Sequence, residues 1–158
     1  MKIVIMLLSL LTTGMLVGNE WAVALFVHPV LYSVRDEAHV RVAKPLARRL
    51  GRFMPFWYAI SLVLAILQLL VVGRAALLSW WQCCAAAILL GVIIVLTIAL
   101  PVPINNQIAG WDLDRMPEDW LSLRRRWDLY HRVRLLLLFF ALILLILAAL
   151  LNRDMQAS

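Results

Sequence analysis

The chain has 158 residues, of which 65% are hydrophobic, and a formal net charge of +6. Soluble domains are about 45–50% apolar, so a soluble globular protein is excluded and lipid must cover part of the surface. The Lys and Arg residues lie beside hydrophobic stretches rather than in a folded basic domain, which indicates membrane topology and argues against a nucleic-acid partner.

Four apolar stretches approach the roughly 20 residues that a bilayer-spanning helix needs. They cover residues 3–26, 53–72, 75–100 and 133–151. Each must be helical, because lipid offers no partner to an unpaired backbone amide. We therefore predict an all-α transmembrane four-helix bundle that forms one integral membrane domain over residues 1–158. Gly73 and Arg74 predict a tight hairpin between the second and third spans.

The start of the first span imitates a secretory signal. Lys2 precedes an apolar run, and Ala22-Val23-Ala24 resembles a cleavage site. Asn19 and Glu20 interrupt that run, however, and apolar residues continue to Tyr32. We therefore predict a retained helix.

Glu20 and His28 are the candidate functional residues of this first span. An ionised carboxylate near mid-bilayer costs about 2.5–3.5 kcal/mol, so Glu20 should face the bundle interior, with Asn19 as a neighbouring amide. The alternative is a protonated carboxyl that only hydrogen-bonds a neighbour.

His28 should lie about 12 Å further along the helix than Glu20. Pro29 disfavours helical backbone at His28, which predicts a bend or end there. The alternative for His28 is an interfacial imidazole that meets water or a carbonyl.

The connection after the first span is amphipathic. Apolar residues recur at helical spacing, namely Val40, Ala43, Leu46, Ala47 and Leu50. Basic residues occupy the positions between them. This pattern predicts a short amphipathic helix on the membrane surface.

The third span ends in Pro101-Val102-Pro103-Ile104-Asn105-Asn106. We predict that the two prolines end the helix, and that the two amides either bind a ligand or cap and turn the chain. The fourth helix is predicted to begin at Met116-Pro117-Glu118-Asp119, since Pro and acidic residues favour a first helical turn. It would then have a cytoplasmic extension before it enters lipid.

That extension carries Trp127, His131 and Arg134 at spacings of four and three, so they should form a stripe on one face. The alternative is a belt that only contacts lipid headgroups.

Basic residues indicate the orientation in the membrane. Two connections hold most of them, namely Arg35, Arg41, Lys44, Arg48, Arg49, Arg52, Arg115, Arg124, Arg125, Arg126, Arg132 and Arg134. Only Lys2, Arg74 and Arg153 lie on the opposite side. The positive-inside rule therefore predicts that both termini are non-cytoplasmic, and we expect a bacterial inner membrane. The topology gathers the candidate residues at the cytoplasmic end of the bundle.

Five segments together resemble the anthrone oxygenase-like family of small membrane proteins, first catalogued as a domain of unknown function. They are Gly18-Asn19-Glu20, Phe26-Val27-His28-Pro29, Met54-Pro55-Phe56-Trp57, Pro103-Ile104-Asn105-Asn106 and Arg126-Trp127-x-x-Tyr130-His131-Arg132-Val133-Arg134. The resemblance implies a four-helix membrane protein. Characterised members of that family oxidise polycyclic anthrones to anthraquinones with molecular oxygen, whereas many bacterial relatives have no assigned substrate.

The resemblance, together with the chemistry of the side chains, assigns site residues. The candidate catalytic residues are His131, His28, Glu20 and Arg134. The candidate substrate-binding residues are Asn19, Asn105, Asn106, Trp127 and Trp57. A neutral imidazole, His131 or His28, could remove a proton from an anthrone methylene, and Arg134 with Asn105 could stabilise the oxyanion. The expected partners are then membrane lipid, a small aromatic substrate and oxygen.

Two other functions stay open. His28 and His131 come from different helices and could hold a haem, although no HExxH or CxxCH motif or i, i+4 His pair supports a metal site. Cys83 and Cys84 are adjacent and apolar in context, and we interpret them as small fillers. Alternatively the protein is a non-catalytic lipid-binding or scaffold protein whose basic face attracts anionic headgroups. Transport is a weaker version, because no inverted repeat is evident.

Overall fold

The computed structural model describes residues 1–111 and 118–157, with side chains through Asn152. Every regular element in these residues is helical. In chain order they are α1 (Lys2–Ala22), a π-helical turn (Val23–Val27), α2 (His28–Ser33), α3 (Asp36–Val72), α4 (Leu77–Ala99), α5 (Pro101–Gly110) and α6 (Trp120–Ala157). The all-α prediction is confirmed.

The long helices form a four-helix bundle. α1 packs against α3 and α6, and α4 packs against the same two helices, so the four helices form a ring. Within the described residues, four helices are long and apolar enough to cross a bilayer. The predicted transmembrane bundle is therefore confirmed in number and class of helices.

The core of the bundle alternates small and large residues. α6 contributes Leu138, Ala141 and Leu145, which are fully buried at spacings of three and four. Ala65 of α3 and Ala86 of α4 are also fully buried. Small residues at such positions let helix backbones approach closely, which is how helices associate in lipid, where apolar burial gives little driving force.

The chain stays helical at His28, so the helix does not end there, which was one of the two predicted alternatives. His28 has φ −63° and ψ −50°, and its N–H bonds to the carbonyl of Val23, five residues back. Pro29 lacks an N–H and cannot continue the i to i−4 pattern. The π-helical turn accommodates the missing N–H of Pro29 by widening the helix just before the proline.

The predicted hairpin lies at Gly73. This residue has φ +70° and ψ 166°, a backbone conformation open mainly to glycine, and its N–H bonds to the carbonyl of Leu69. α3 and α4 pack against each other directly after this turn.

The amphipathic connection is helical but is not a separate element. It forms the first turns of α3, whose 37 residues run without a break through Pro45 and Pro55. A helix of this length is about 55 Å long and exceeds the hydrocarbon core. Val40 and Ala43 are buried while Arg41 and Arg49 are exposed, as the pattern predicts.

The segment after the third span also remains helical. The prolines end α4 at Ala99, but Pro101 then occupies the first turn of α5, and Asn105 and Asn106 lie within α5 rather than in a turn. Proline is compatible with a first helical turn because its missing N–H has no partner there. α5 packs on α3, where Lys44 Nζ donates to the carbonyl of Trp111 at 2.7 Å.

The fourth long helix extends well beyond its apolar part, as predicted. α6 begins at Trp120, thirteen positions before the apolar stretch, and has 38 residues. Met116 and Pro117 of the predicted start lie outside the described residues. The backbone carbonyl of Asp119 accepts the N–H of Leu123 at 3.1 Å, so Asp119 lies at the beginning of the helix.

Candidate functional site

Glu20 is the centre of a buried charged cluster. It lies in the last turn of α1 and is 1% exposed. Arg134 Nη2 donates to both carboxylate oxygens, at 2.8 and 3.0 Å, and Tyr58 Oη donates to Oε1 at 2.8 Å. We call Glu20, Tyr58, His131 and Arg134 the Glu20 cluster. It joins α1, α3 and α6 at one level of the bundle.

His131 has both ring nitrogens against Glu20. Nδ1 lies 3.0 Å from Glu20 Oε2, and Nε2 lies 3.2 Å from the Glu20 carbonyl oxygen. Arg134 Nη2 is also 3.1 Å from Nδ1. A ring that carries its proton on Nε2 can donate to the Glu20 carbonyl oxygen and accept from Arg134 at Nδ1, so both ring nitrogens have a partner.

A second buried cluster surrounds Asp128. His28 Nδ1 lies 3.3 Å from Asp128 Oδ1, Arg124 Nε lies 3.4 Å from the same oxygen, and Tyr32 Oη donates to Oδ2. We call His28, Tyr32, Arg124 and Asp128 the Asp128 cluster. Asp128 is 4% exposed and His28 is 6% exposed.

His28 has one free nitrogen. Its Nε2 is buried and has no hydrogen-bond partner among the described residues, while Nδ1 lies 3.3 Å from Asp128 Oδ1. A carboxylate this close to Nδ1 favours the tautomer that carries its proton there, which leaves the Nε2 lone pair available. This arrangement suits a general base.

Trp127 connects the two clusters. Its ring stacks on His131 with centroids 5.1 Å apart and planes 9° apart, and it meets His28 edge-on, also at 5.1 Å. The Arg124 guanidinium lies 4.8 Å from the centre of the Trp127 ring. The predicted stripe of Trp127, His131 and Arg134 therefore faces the bundle interior and not the lipid headgroups.

Two small cavities adjoin these clusters. The larger, about 40 Å³, borders the Glu20 cluster and is lined in part by Asn19, Asn105 and Trp127. The smaller, about 20 Å³, borders His28, Arg124, Asn105 and Trp127. A water molecule needs about 10–15 Å³ of such space, so the cavities have room for about three waters and one or two, respectively. Neither accommodates a fused ring system.

Most of the site residues predicted from the sequence come together. Glu20, His28, Asn19, Asn105, Trp127, His131 and Arg134 all line one or both cavities. Asn106 is exposed and lines an outer pocket between α3 and α5 with Asn105. Trp57 lines neither cavity, and its Nε1 donates to the carbonyl of Thr12 at 3.1 Å.

Sequence reasoning missed Tyr58, Tyr32, Arg124 and Asp128. Asp128 had a detectable signal, because it is the one acidic residue between Arg124 and Arg134 and directly follows Trp127. Its spacing from Arg124 is four residues, which places both on one helix face. Tyr58 had no such signal, because only packing decides which face of α3 meets Glu20.

The described residues contain no group of three or more His, Cys, Asp or Glu side chains arranged to hold a metal ion. The two histidines also do not fit a haem between them. Their ring centroids are 5.1 Å apart, and both nitrogens of His131 face Glu20. Cys83 and Cys84 are free and lie in a different part of the bundle, where Cys83 packs with Met6 and Ala148.

Comparison with known proteins gives one match. Residues 45–144 match a protein-family model described as anthrone oxygenase, whereas no curated protein and no solved structure matches the chain. The matched segment contains Tyr58, Asn105, Trp127, His131 and Arg134. Glu20 and His28 precede it and reach the site through α1 and the π-helical turn. Because the match covers more than half of the chain's length, this chain belongs to the anthrone oxygenase family.

Proposed function

We propose that this protein is a membrane-bound oxygenase that oxidises a phenolic or polycyclic aromatic substrate at an acidic C–H group, with molecular oxygen as the oxidant. One observation carries the proposal: the buried His28 has an unpartnered Nε2 and a carboxylate 3.3 Å from Nδ1, and its ring lies 5.1 Å from that of His131, which contacts the buried guanidinium of Arg134. Fold alone does not determine chemistry. The reaction class is therefore proposed from family membership together with the geometry of the site.

The first step is removal of a proton from the substrate. In an anthrone this proton is acidic because its loss gives an aromatic phenolate. The geometry favours His28 as the base, since its Nε2 is free while both nitrogens of His131 are engaged by Glu20. His28 and His131 are only 5.1 Å apart, so the two imidazoles can serve one substrate.

The second requirement is stabilisation of the resulting oxyanion. Arg134 is the buried cation of the larger cavity, and Asn105 adds an amide there. Glu20 fixes the guanidinium through two hydrogen bonds, which preorganises it. Preorganised donors in a water-poor site act more strongly than the same groups in water.

The reaction then balances with oxygen alone. The substrate anion passes one electron to O₂, and the radical and superoxide combine to form a C–O bond in a peroxide. Loss of the second methylene proton and cleavage of the O–O bond give the ketone. One oxygen atom stays in the product and the other leaves as water, so no external reductant is needed.

The test is oxygen uptake by purified protein in lipid nanodiscs with an anthrone as the substrate. We expect one O₂ consumed per anthraquinone formed, at a rate well above the spontaneous one. His28→Gln should lower kcat by about 100-fold or more, because positioned bases contribute factors of that size. Asp128→Asn should have a similar effect, since the wrong tautomer of His28 would be favoured.

Arg125→Gln is the matched control, because Arg125 is exposed next to the buried Arg124. It should retain the activity of the unchanged protein. If the unchanged protein folds normally but does not exceed the spontaneous rate, the non-catalytic lipid-binding or scaffold alternative is favoured. A bound haem absorbs visible light, so an optical spectrum of the same preparation distinguishes the haem alternative from the other two functions.

A further inference from the structure

A third opening lies between α4–α5 and α6, on the outer side of the bundle. Its volume is about 280 Å³. We call it the lateral groove, and its lining residues are Leu96, Thr97, Leu100, Pro101, Leu129, Tyr130, Val133 and Arg134. Leu129 is 57% exposed and Val133 is 44% exposed. The opening lies at one end of the apolar stretches of α4 and α6, so we expect it to face lipid.

The lateral groove and the larger cavity share two residues, Thr97 and Arg134. These two side chains form the boundary between an apolar space open to lipid and the charged cluster. The cavity of about 40 Å³ has no room for fused rings, whereas the groove is several times larger. A flat ring system with one polar edge fits this division, with its rings on the lipid side.

The boundary formed by Thr97 and Arg134 offers both a hydrogen-bond donor and a hydrogen-bond acceptor. Arg134 Nη2 is engaged by Glu20, but Arg134 Nε is buried and has no partner in the part of the chain that the structure describes. Arg134 as a whole is 8% exposed. Thr97 Oγ1 donates to the carbonyl of Ile93 at 2.7 Å, so its oxygen can still accept. A ligand oxygen would satisfy Arg134 Nε, and a ligand hydroxyl could donate to Thr97.

We propose that the lateral groove is the binding site through which a bilayer-dissolved, fused-ring phenol reaches the charged cluster. On entry the rings lie against the leucine and valine side chains, and a ring oxygen accepts a hydrogen bond from Arg134 Nε. His28 does not line the lateral groove, so proton removal at His28 requires the substrate to move past the Thr97–Arg134 boundary. This inference rests on the proposed function for the class of substrate. A phospholipid acyl chain is the competing occupant, but it carries no oxygen for the buried donor.

The test uses a stable ligand, 1,8-dihydroxyanthraquinone, whose saturable binding to the protein in nanodiscs is followed by its visible absorption and fluorescence. Val133→Trp fills the lateral groove and should weaken this binding at least 10-fold and raise KM for an anthrone. Leu129→Trp should act in the same way. Thr97→Val, which keeps the shape but removes the acceptor, should weaken binding by a few-fold.

Leu136→Trp is the matched control. Leu136 lies three residues beyond Val133 on α6 and is 54% exposed, but it does not line the lateral groove. It should bind the quinone as the unchanged protein does. Melting temperatures of all four variants in detergent show whether each one folds.

The outcomes separate this proposal from the proposed reaction. Selective loss of quinone binding in Val133→Trp, without anthrone oxidation by the unchanged protein, supports the groove and contradicts the reaction. Equal binding by Val133→Trp and Leu136→Trp overturns the groove, whatever the turnover. A phospholipid that crosslinks to a photoreactive residue at position 133 despite saturating quinone would assign the groove to an acyl chain and also overturn it.

Discussion

Individual side chains in this protein are constrained by the cost of burying charge. Glu20 lies among three partners, and Arg134, His131 and Tyr58 all point their polar atoms at its carboxylate. The desolvation cost of a buried ion pair such as Glu20–Arg134 can exceed the attraction between its charges, so the pair by itself is weak evidence for stability. Loss of either partner, however, is strongly destabilising. The same contacts hold Arg134 at the boundary of the larger cavity.

Glu20→Gln should therefore lower the stability by about 3–5 kcal/mol, because the Arg134 guanidinium would remain buried without its counter-charge. The double variant Glu20→Leu, Arg134→Met should recover much of this loss, although it should be inactive. Glu37→Gln, at the exposed start of α3, is the control and should change stability by less than about 0.5 kcal/mol. Reversible unfolding in mixed detergent micelles measures these differences. If the separate effects of Glu20→Leu and Arg134→Met add up to the effect of the double variant, the coupling is contradicted.

The helices are shaped by a few residues that break their regularity. Pro29 changes the hydrogen-bond pattern and gives the π-helical turn, which lies between Glu20 and His28. Pro101 separates α4 from α5 and so places Asn105 beside both cavities. Gly73 lets α3 and α4 pack as a hairpin. Each irregularity brings a polar residue or a helix to a position that a straight helix would not reach.

Gly73→Ala should lower the stability by about 1–3 kcal/mol, since φ +70° with ψ 166° is a strained conformation for any residue with a Cβ atom. Space is not the cause, because a Cβ atom at Gly73 would meet nothing within 4 Å. Gly91→Ala is the matched control. It has equal space in the middle of α4 without a positive φ, and it should be neutral or slightly stabilising. The same unfolding assay compares them, and equal effects would argue against backbone strain at Gly73.

The molecule as a whole has two unlike ends. One end holds both charged clusters, α2, α5 and the exposed Arg41 and Arg49, whereas the other end holds the Gly73 hairpin. From this charge distribution the positive-inside rule predicts that the clustered end faces the cytoplasm and that both termini face away from it.

Single cysteines test this orientation in a protein whose Cys83 and Cys84 are replaced by alanine. Ala75→Cys in the hairpin and Ala38→Cys near the start of α3 are both exposed and change no charge. A membrane-impermeant maleimide should label position 75 in intact spheroplasts and position 38 only after lysis. The reverse pattern would place the clustered end, and with it the smaller cavity, outside the cytoplasm.

Sequence alone predicted the class and number of the helices, because lipid forces any long apolar stretch to satisfy its own backbone hydrogen bonds. It also predicted that Glu20 faces inward, since an exposed carboxylate in lipid is too costly. The stripe of Trp127, His131 and Arg134 followed from helical spacing. These are local properties of one segment and its solvent, so no knowledge of the other helices is needed.

Only the tertiary structure decided which residues meet. The rotation of each helix about its axis is determined by packing, and this rotation turns Tyr58 toward Glu20 and leaves Trp57 outside the cavities. His28 differs from His131 in its contact with Asp128, which lies one hundred positions later in the chain. That contact requires α2 and α6 to lie side by side, and no spacing within either segment contains this information.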